Sequence, residues 1–250
     1  MGSISEDSLL KARIKDAAEL CERRDIPCFL GFLDERQRAA AEGMLRSHRQ
    51  IAHRFFGGHP EAERTLLGLF PPYMEESDDA VFPLTAVGFS FRGALTHRDF
   101  LGAILACEIK REKIGDILCG DGIAVVFADE KIAPFLAEQL EKVGNVGVTV
   151  QLPYDGALPA AHTFRDIRDT VASPRLDALV RVCIGASREE AARRIVAGLV
   201  ARNHQPCLSA SAEVREGDVL SIRGEGRFRV ETLGPLTRKG RLNILVKKYV

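Results

Sequence analysis

Arginine is concentrated toward the carboxyl end, at spacings that suit a phosphate-bearing ligand. Arg175, Arg188, Arg193 and Arg194 fall on or beside two short apolar-periodic stretches, and Arg223, Arg227, Arg229, Arg238, Lys239 and Arg241 follow on stretches of strand character. A guanidinium offers a planar fork of donors to phosphate oxygens, and such contacts fix position while carrying little sequence information. Ser187 opens a helix start, where unpaired N–H groups favour an anion. From 173 to 250 there are 15 basic and 8 acidic residues, a net charge of +7, whereas the rest of the chain has 20 basic and 27 acidic, a net of −7. The overall neutrality hides a basic carboxyl-terminal region on an acidic body. A basic face is the electrostatic footprint of a nucleic-acid backbone.

Catalytic arrangements are harder to find. His97-Arg98-Asp99 has the residue types of a kinase catalytic loop, but neither a glycine loop nor Asp-Phe-Gly accompanies it. It reads instead as a helix start, from which His97, Arg98, Lys110, Arg111 and Lys113 form a second basic patch for RNA. Arg175-Leu176-Asp177 is similar to the start of the catalytic segment of pseudouridine synthases. Ala178-Leu179-Val180 follows where those enzymes have an acidic residue, a hydroxyl residue and Gly-Leu, so Asp177 reads as a first-turn charge that orients Arg175. Gly224-Glu225-Gly226 lacks the third glycine and the helix of a nucleotide loop. No phosphate loop, Ser-His-Asp set or carboxylate pair stands out. The six cysteines form no C-x-x-C pair and the histidines are scattered, so no metal or cofactor is expected. Thiols in apolar surroundings suit a cytoplasmic protein. No apolar run reaches 18 residues and no secretory signal opens the chain, so no membrane is expected.

Three groups of elements must position these residues, giving an α+β class. Residues 1–75 read as a small N-terminal α/β domain. It begins with a helix over 5–24 whose apolar face holds Leu9, Ile14, Ala17, Ala18 and Cys21. A strand from Cys28 to Leu33, a helix capped by Asp34, and strands Ile51 to Phe56 and Thr65 to Phe70 around a Gly57-Gly58 turn complete it. Glu75 to Asp79 reads as an acidic linker. Residues 80–153 read as strand, helix with a Thr96–Asp99 capping box, two strands around Asp121-Gly122, a helix capped by Asp129 and reaching Val143, then strand. That β-α-β-β-α-β order is the ferredoxin-like split motif.

Residues 172–250 read as two helices and a set of strands. Ser173 is the expected N-cap and Pro174 the first helical residue, with Leu176, Leu179, Val180 and Cys183 on the buried face. Gly185 breaks this helix. Ser187 and Glu190 form a capping box for the next, whose stripe is Ala191, Ile195 and Leu199. Strands are expected at Val214 to Arg223, Arg227 to Val230 and Arg241 to Val246.

This last group resembles the S-four domain, an RNA-binding module. The matching residues are R-L-D at 175–177, S-R at 187–188, A-x3-I at 191–195, G-L-V at 198–200, Asn203 and E-G-D-V-L at 216–220, with Asn203-His204 where the family usually has Asn-Gly. Further blocks, F-L-D-x-R-Q at 32–37, F-F-G-G-x-x-x-A-E-R at 55–64, L-T-H-R-D-F-L-G-A-I-L at 95–105 and I-K-R-E-K-I-G-D-I-L at 109–118, are similar to the YlmH family of bacterial S-four proteins. The resemblance covers nearly the whole chain. Asp177, Arg202 and Asn203 complete the expected RNA-binding set. The resemblance implies a non-enzymatic protein that binds ribosomal RNA and tRNA on the large ribosomal subunit, in quality control of stalled nascent chains, and a monomer is expected. The alternatives are an RNA-modifying enzyme with an S-four targeting domain, or a cell-division-linked adaptor. Replacing Arg175 and Arg188 by Glu is expected to release the protein from ribosomal subunits with its fold intact.

Overall fold

The fold is that of a computed structural model describing residues 6–46, 51–74 and 78–250. Most of the expected acidic linker, residues 75–77, lies outside them. The chain divides into two compact units, Met1–Ala161 and His162–Val250.

In the first unit, α1 (Glu6–Arg24) packs on β1 (Cys28–Leu33), α2 (Glu35–Leu45), β2 (Ala52–Phe56) and β3 (Thr65–Phe70). The strands form an antiparallel sheet in the order β1-β3-β2. Asp34 caps α2 with a complete capping box: its side chain accepts from Gln37 N at 2.8 Å, and Gln37 accepts from Asp34 N at 3.0 Å. The buried face of α1 is Leu10, Ile14, Ala18 and Cys21, while Leu9 is 55% exposed. Ile14, Ala18 and Cys21 lie on the face where the sequence puts them, and only the first contact shifts, from Leu9 to Leu10. The Leu9-Leu10 pair fits either phase, and only packing decides between them.

The same unit continues with β4 (Leu84–Phe91), α3 (His97–Ala106), β5 (Ile114–Gly120), β6 (Ile123–Asp129), α4 (Ala133–Gln139), β7 (Lys142–Val143) and β8 (Val146–Gln151). Their sheet runs β5-β6-β4-β8-β7, all antiparallel. Each helix crosses over one intervening strand, as the split motif requires. Thr96 and Asp99 form the expected box. Asp129 does not cap α4: it accepts from Lys131 N at 3.0 Å and pairs with Lys113 Nζ at 2.6 Å, and the helix starts after Ile132. It also ends at Gln139, because Lys142 and Val143 pair with β8. Gly88 in β4 carries the ring of Tyr154, which a Cβ there would meet at 2.3 Å.

Residues 1–75 and 80–153, read from the sequence as separate domains, lie in one compact unit. A single apolar cluster joins them: Phe32, Leu66 and Phe70 from one side meet Phe82, Leu118, Val125 and Phe127 from the other.

The second unit holds β9 (Phe164–Val171), α5 (Leu176–Ile184), α6 (Arg188–Val196), β10 (Val200–Arg202), β11 (Gln205–Pro206), β12 (Val219–Ile222), β13 (Gly226–Leu236) and β14 (Leu242–Tyr249). The sheet order is β11-β10-β12-β13-β14-β9. Leu176, Leu179, Val180, Cys183, Ala191 and Ile195 pack on Leu220, Ile222, Phe228, Val230, Ile244 and Val246. This unit begins ten residues before the boundary expected at 172, because β9 pairs with β14 over eight residues.

Candidate nucleic-acid interface

α5 begins two residues later than the sequence suggests, with Arg175 in the N-cap position. Pro174 O accepts from Val214 N at 2.8 Å, and the amides of Leu176 and Asp177 donate to Ala212 O at 2.8 Å and Ala210 O at 2.9 Å. Those bonds tie the entry of α5 to the 210–214 loop, and Ser173 stays outside the helix. The helix ends at Gly185, in the left-handed region at φ 65°. Without a Cβ, glycine takes that conformation freely. Ser187 then caps α6, accepting from Glu190 N at 3.1 Å. Only this half of the expected capping box forms, because Arg193 and Arg194 hold the Glu190 carboxylate.

The short Gly185 turn brings Arg175 and Arg188 together over Asp177. Arg175 donates from Nε at 3.2 Å and from Nη2 at 3.1 Å; Arg188 donates from Nε at 3.0 Å and from Nη2 at 3.3 Å. The Asp177 side chain is 6% exposed, the two arginines 41% and 56%. Burial alone would push this carboxyl up, but the hydrogen bonds from Arg175 and Arg188 outweigh it and hold the pKa below the usual carboxylate range. Asp177 is thus the buried pin of the pair, acting through its arginines, and each arginine keeps Nη1 for another acceptor.

A cleft of about 190 Å³ adjoins this pair, lined by Val171, Ala172, Ser173, Arg181, Arg188 and Arg241. Arg181 pairs with Asp169 at 2.9 Å. Arg241 donates to Thr170 Oγ1 at 3.0 Å and Thr170 O at 2.6 Å. Three arginines, from α5, α6 and the residue before β14, therefore line one opening. Arg181 was missed in the sequence; its only signal was a place in the last turn of α5, four residues after Asp177.

The remaining expected contacts separate. Arg194 bridges Glu190 and Glu225 and is 27% exposed, whereas Arg193 is 72% exposed. Arg202 bonds to Glu213 O and lies near Asp218. Asn203 holds the turn together: its Nδ2 donates to Asp218 Oδ1 at 2.7 Å and its Oδ1 accepts from Val219 N at 2.9 Å. Asn203 and His204 have φ of 48° and 65°, so the left-handed turn forms without the usual glycine. Arg223, Lys239 and Arg241 are exposed. Phe228 and Val230 point into the core, so Arg227 and Arg229 lie on the sheet face away from the helices. There Arg227 covers Tyr249 at 4.5 Å and Arg229 covers Phe164 at 4.9 Å.

In the first unit, His97, Arg98 and Lys110 are exposed as expected. Arg111 is not a surface donor. Its Nη1 donates to Ile114 O at 2.6 Å and Gly115 O at 3.1 Å. Burial, with Arg64 nearby, brings its pKa down to about 10. Arg64 donates to Ile114 O and Phe32 O, and Asp116 takes the amides of Glu63 and Arg64. The F-F-G-G-x-x-x-A-E-R block thus ends in an internal polar network.

A buried carboxylate aligning two half-exposed guanidinium groups, on a helix pair backed by a sheet, is an arrangement chemically suited to phosphate oxygens. Comparison with known families agrees: residues 174–220 match the S4 domain, and residues 84–154 match the "Putative RNA-binding domain in YlmH". The ribosome-associated protein quality control protein P2 of Bacillus subtilis (strain 168) is 32% identical over 225 residues, covering 87% of this chain and 85% of that one. The chain belongs to the YlmH family of S-four RNA-binding proteins. The solved cell division protein ylmH from Streptococcus pneumoniae shares the fold, with a TM-score of 0.53 at 17% identity, over 60% of this chain and 92% of that one.

Proposed function

We propose that this chain is a non-enzymatic cytoplasmic monomer that binds ribosomal RNA and tRNA on the large ribosomal subunit during quality control of stalled nascent chains. The observation that carries the reading is the Arg175–Asp177–Arg188 clamp beside the cleft of Arg181 and Arg241. Its two arginines stay about half exposed while Asp177 holds them in place, which suits the phosphates of a folded RNA read by shape. The name of the B. subtilis relative, a ribosome-associated quality control protein, supports the setting. The second RNA-binding-type domain, through His97, Arg98 and Lys110, adds RNA contacts of its own.

Co-sedimentation with purified large subunits tests this. The native chain is expected to pellet with subunits and to be released by nuclease. Arg188→Gln combined with Arg241→Gln is expected to stay in the supernatant. Unchanged pelleting of that variant, or pelleting that survives nuclease, would contradict the reading.

A further inference from the structure

The sheet of the second unit has two faces, and the helix pair uses one of them. Phe228, Val230, Ile244 and Val246 turn inward, to the core shared with α5 and α6. Alternate residues of a strand point to opposite faces, so their neighbours turn outward. Strand pairing aligns those outward residues in two rows. In the first, Ser221 lies opposite Arg227, and Tyr249 lies opposite Phe164. In the second, Arg229 lies opposite Val219 on one side and Lys247 on the other, and Lys247 lies opposite Asp166. Arg168, two residues beyond Asp166 on β9, shares this face, and its side chain is 78% exposed.

The outer face is aromatic and cationic. Phe164 and Tyr249 take no part in the apolar core and stay partly exposed. Their ring centres lie 4.9 Å apart with the planes at 64°, and His162 stands edge-on, 4.9 Å from Tyr249 and 5.8 Å from Phe164. The Arg227 guanidinium lies 4.5 Å from the centre of Tyr249, and that of Arg229 lies 4.9 Å from the centre of Phe164. Glu231 holds Arg229 in place, accepting from its Nε at 3.0 Å and from Lys247 Nζ at 3.2 Å. Arg168, Arg227, Arg229 and Lys247 stand against Asp166 and Glu231, so the balance of charge suits a polyanion. Partly exposed rings among arginines, on one face of a sheet, are a surface on which unpaired bases stack. A duplex keeps its bases inside and cannot use it.

We propose that this outer face binds an unpaired stretch of RNA. Its bases stack on the Tyr249–Arg227 and Phe164–Arg229 pairs, and its phosphates meet Arg168 and Lys247. This is a second RNA surface of the S-four unit, across the sheet from the helix pair that carries the Arg175–Asp177–Arg188 clamp. It rests on the RNA-binding character of the family and not on the ribosomal setting proposed above.

The chain has three tyrosines, Tyr73, Tyr154 and Tyr249, so fluorotyrosine labelling of the full chain gives one fluorine signal per site. Titration with single-stranded oligouridylate or oligoadenylate is expected to shift the Tyr249 signal, which Tyr249→Phe assigns. A fully paired RNA duplex is expected to leave it in place. Phe164→Leu combined with Tyr249→Leu is expected to weaken binding of the oligomers about tenfold or more, in line with the loss of stacked bases. Tyr249→Trp keeps a stacking ring and is expected to bind as the native chain does. Arg188→Gln, at the clamp, is expected to leave the Tyr249 shift unchanged. No Tyr249 shift with either oligomer, an equal shift with the duplex, or undiminished binding by the double variant would overturn the proposal. The first two are read on the native chain, so they decide even where a variant fails to fold. Failure to pellet with large subunits, with the Tyr249 shift intact, would overturn the ribosomal reading alone.

Discussion

Asp177 illustrates how a residue can matter to a ligand it does not touch. Its carboxylate aligns Arg175 and Arg188, and its folded pKa lies below the unfolded value of about 3.9. A depressed carboxylate pKa means that its stabilisation is fully present above the unfolded value and is lost as pH falls through the folded one. Asp177→Asn is therefore expected to lower stability by roughly 2 kcal/mol at pH 7, in line with hydrogen bonds to charged groups. The native and variant denaturation midpoints are expected to draw together as pH falls from the unfolded value through the folded one. A gap that is undiminished from pH 7 down to pH 2 would contradict this. The same geometry corrects the charge-reversal expectation. Glu at 175 or 188 would place like charge against a buried carboxylate, so loss of binding would be confounded by loss of structure. Gln is the cleaner replacement. At this scale the sequence showed the arginines as a cluster but not their pairing. Pairing depends on the angle of the Gly185 turn, and Arg111, equally basic, turned inward onto main-chain carbonyls.

Among the elements, the turns that set that angle give the sharpest expectations. Gly185→Ala would meet nothing within 4 Å, so its cost is the strain of φ 65° alone, roughly 1 kcal/mol. Ser187→Ala removes the α6 cap and is expected to cost about 1 kcal/mol. Denaturant midpoints at unchanged slope check both; a stability-neutral Gly185→Ala would contradict the cap assignment. The β-α-β-β-α-β order was legible because its strands have continuous apolar cores and its turns carry Asp-Gly and Thr-x-x-Asp signals. β9 was not legible. Its sequence F-R-D-I-R-D-T-V puts charges at both faces, and only pairing with β14 makes it a strand. The helix start at Leu176 was misplaced for a similar reason: Ser173-Pro174 is a good local cap signal, but the 210–214 loop claims that backbone.

On the scale of the whole chain, charge and packing divide the molecule along one boundary. The basic region coincides with the second unit, which has its own apolar cluster. Residues 162–250 are expected to fold alone and to unfold cooperatively. Residues 1–75 are expected not to fold, because Phe32, Leu66 and Phe70 would lose the aromatic partners supplied by residues 82–127. Circular dichroism of the two fragments decides this; a cooperative transition for 1–75 would contradict the shared core. The division was half visible in the sequence, since the charge reversal showed the second unit. The fusion of the first two regions depends on contacts between residues as far apart in the chain as Phe32 and Phe127, which no local pattern records.

The most direct test of the phosphate-gripping role is the salt dependence of binding to ribosomal RNA. Each neutralised phosphate contributes a slope of about 0.7–0.9 in log affinity against log salt. Arg181→Gln, Arg188→Gln and Arg241→Gln together are expected to make the slope shallower by about 2 units, with weaker binding at low salt. An unchanged slope in the triple variant, with the fold intact by circular dichroism, would contradict the account.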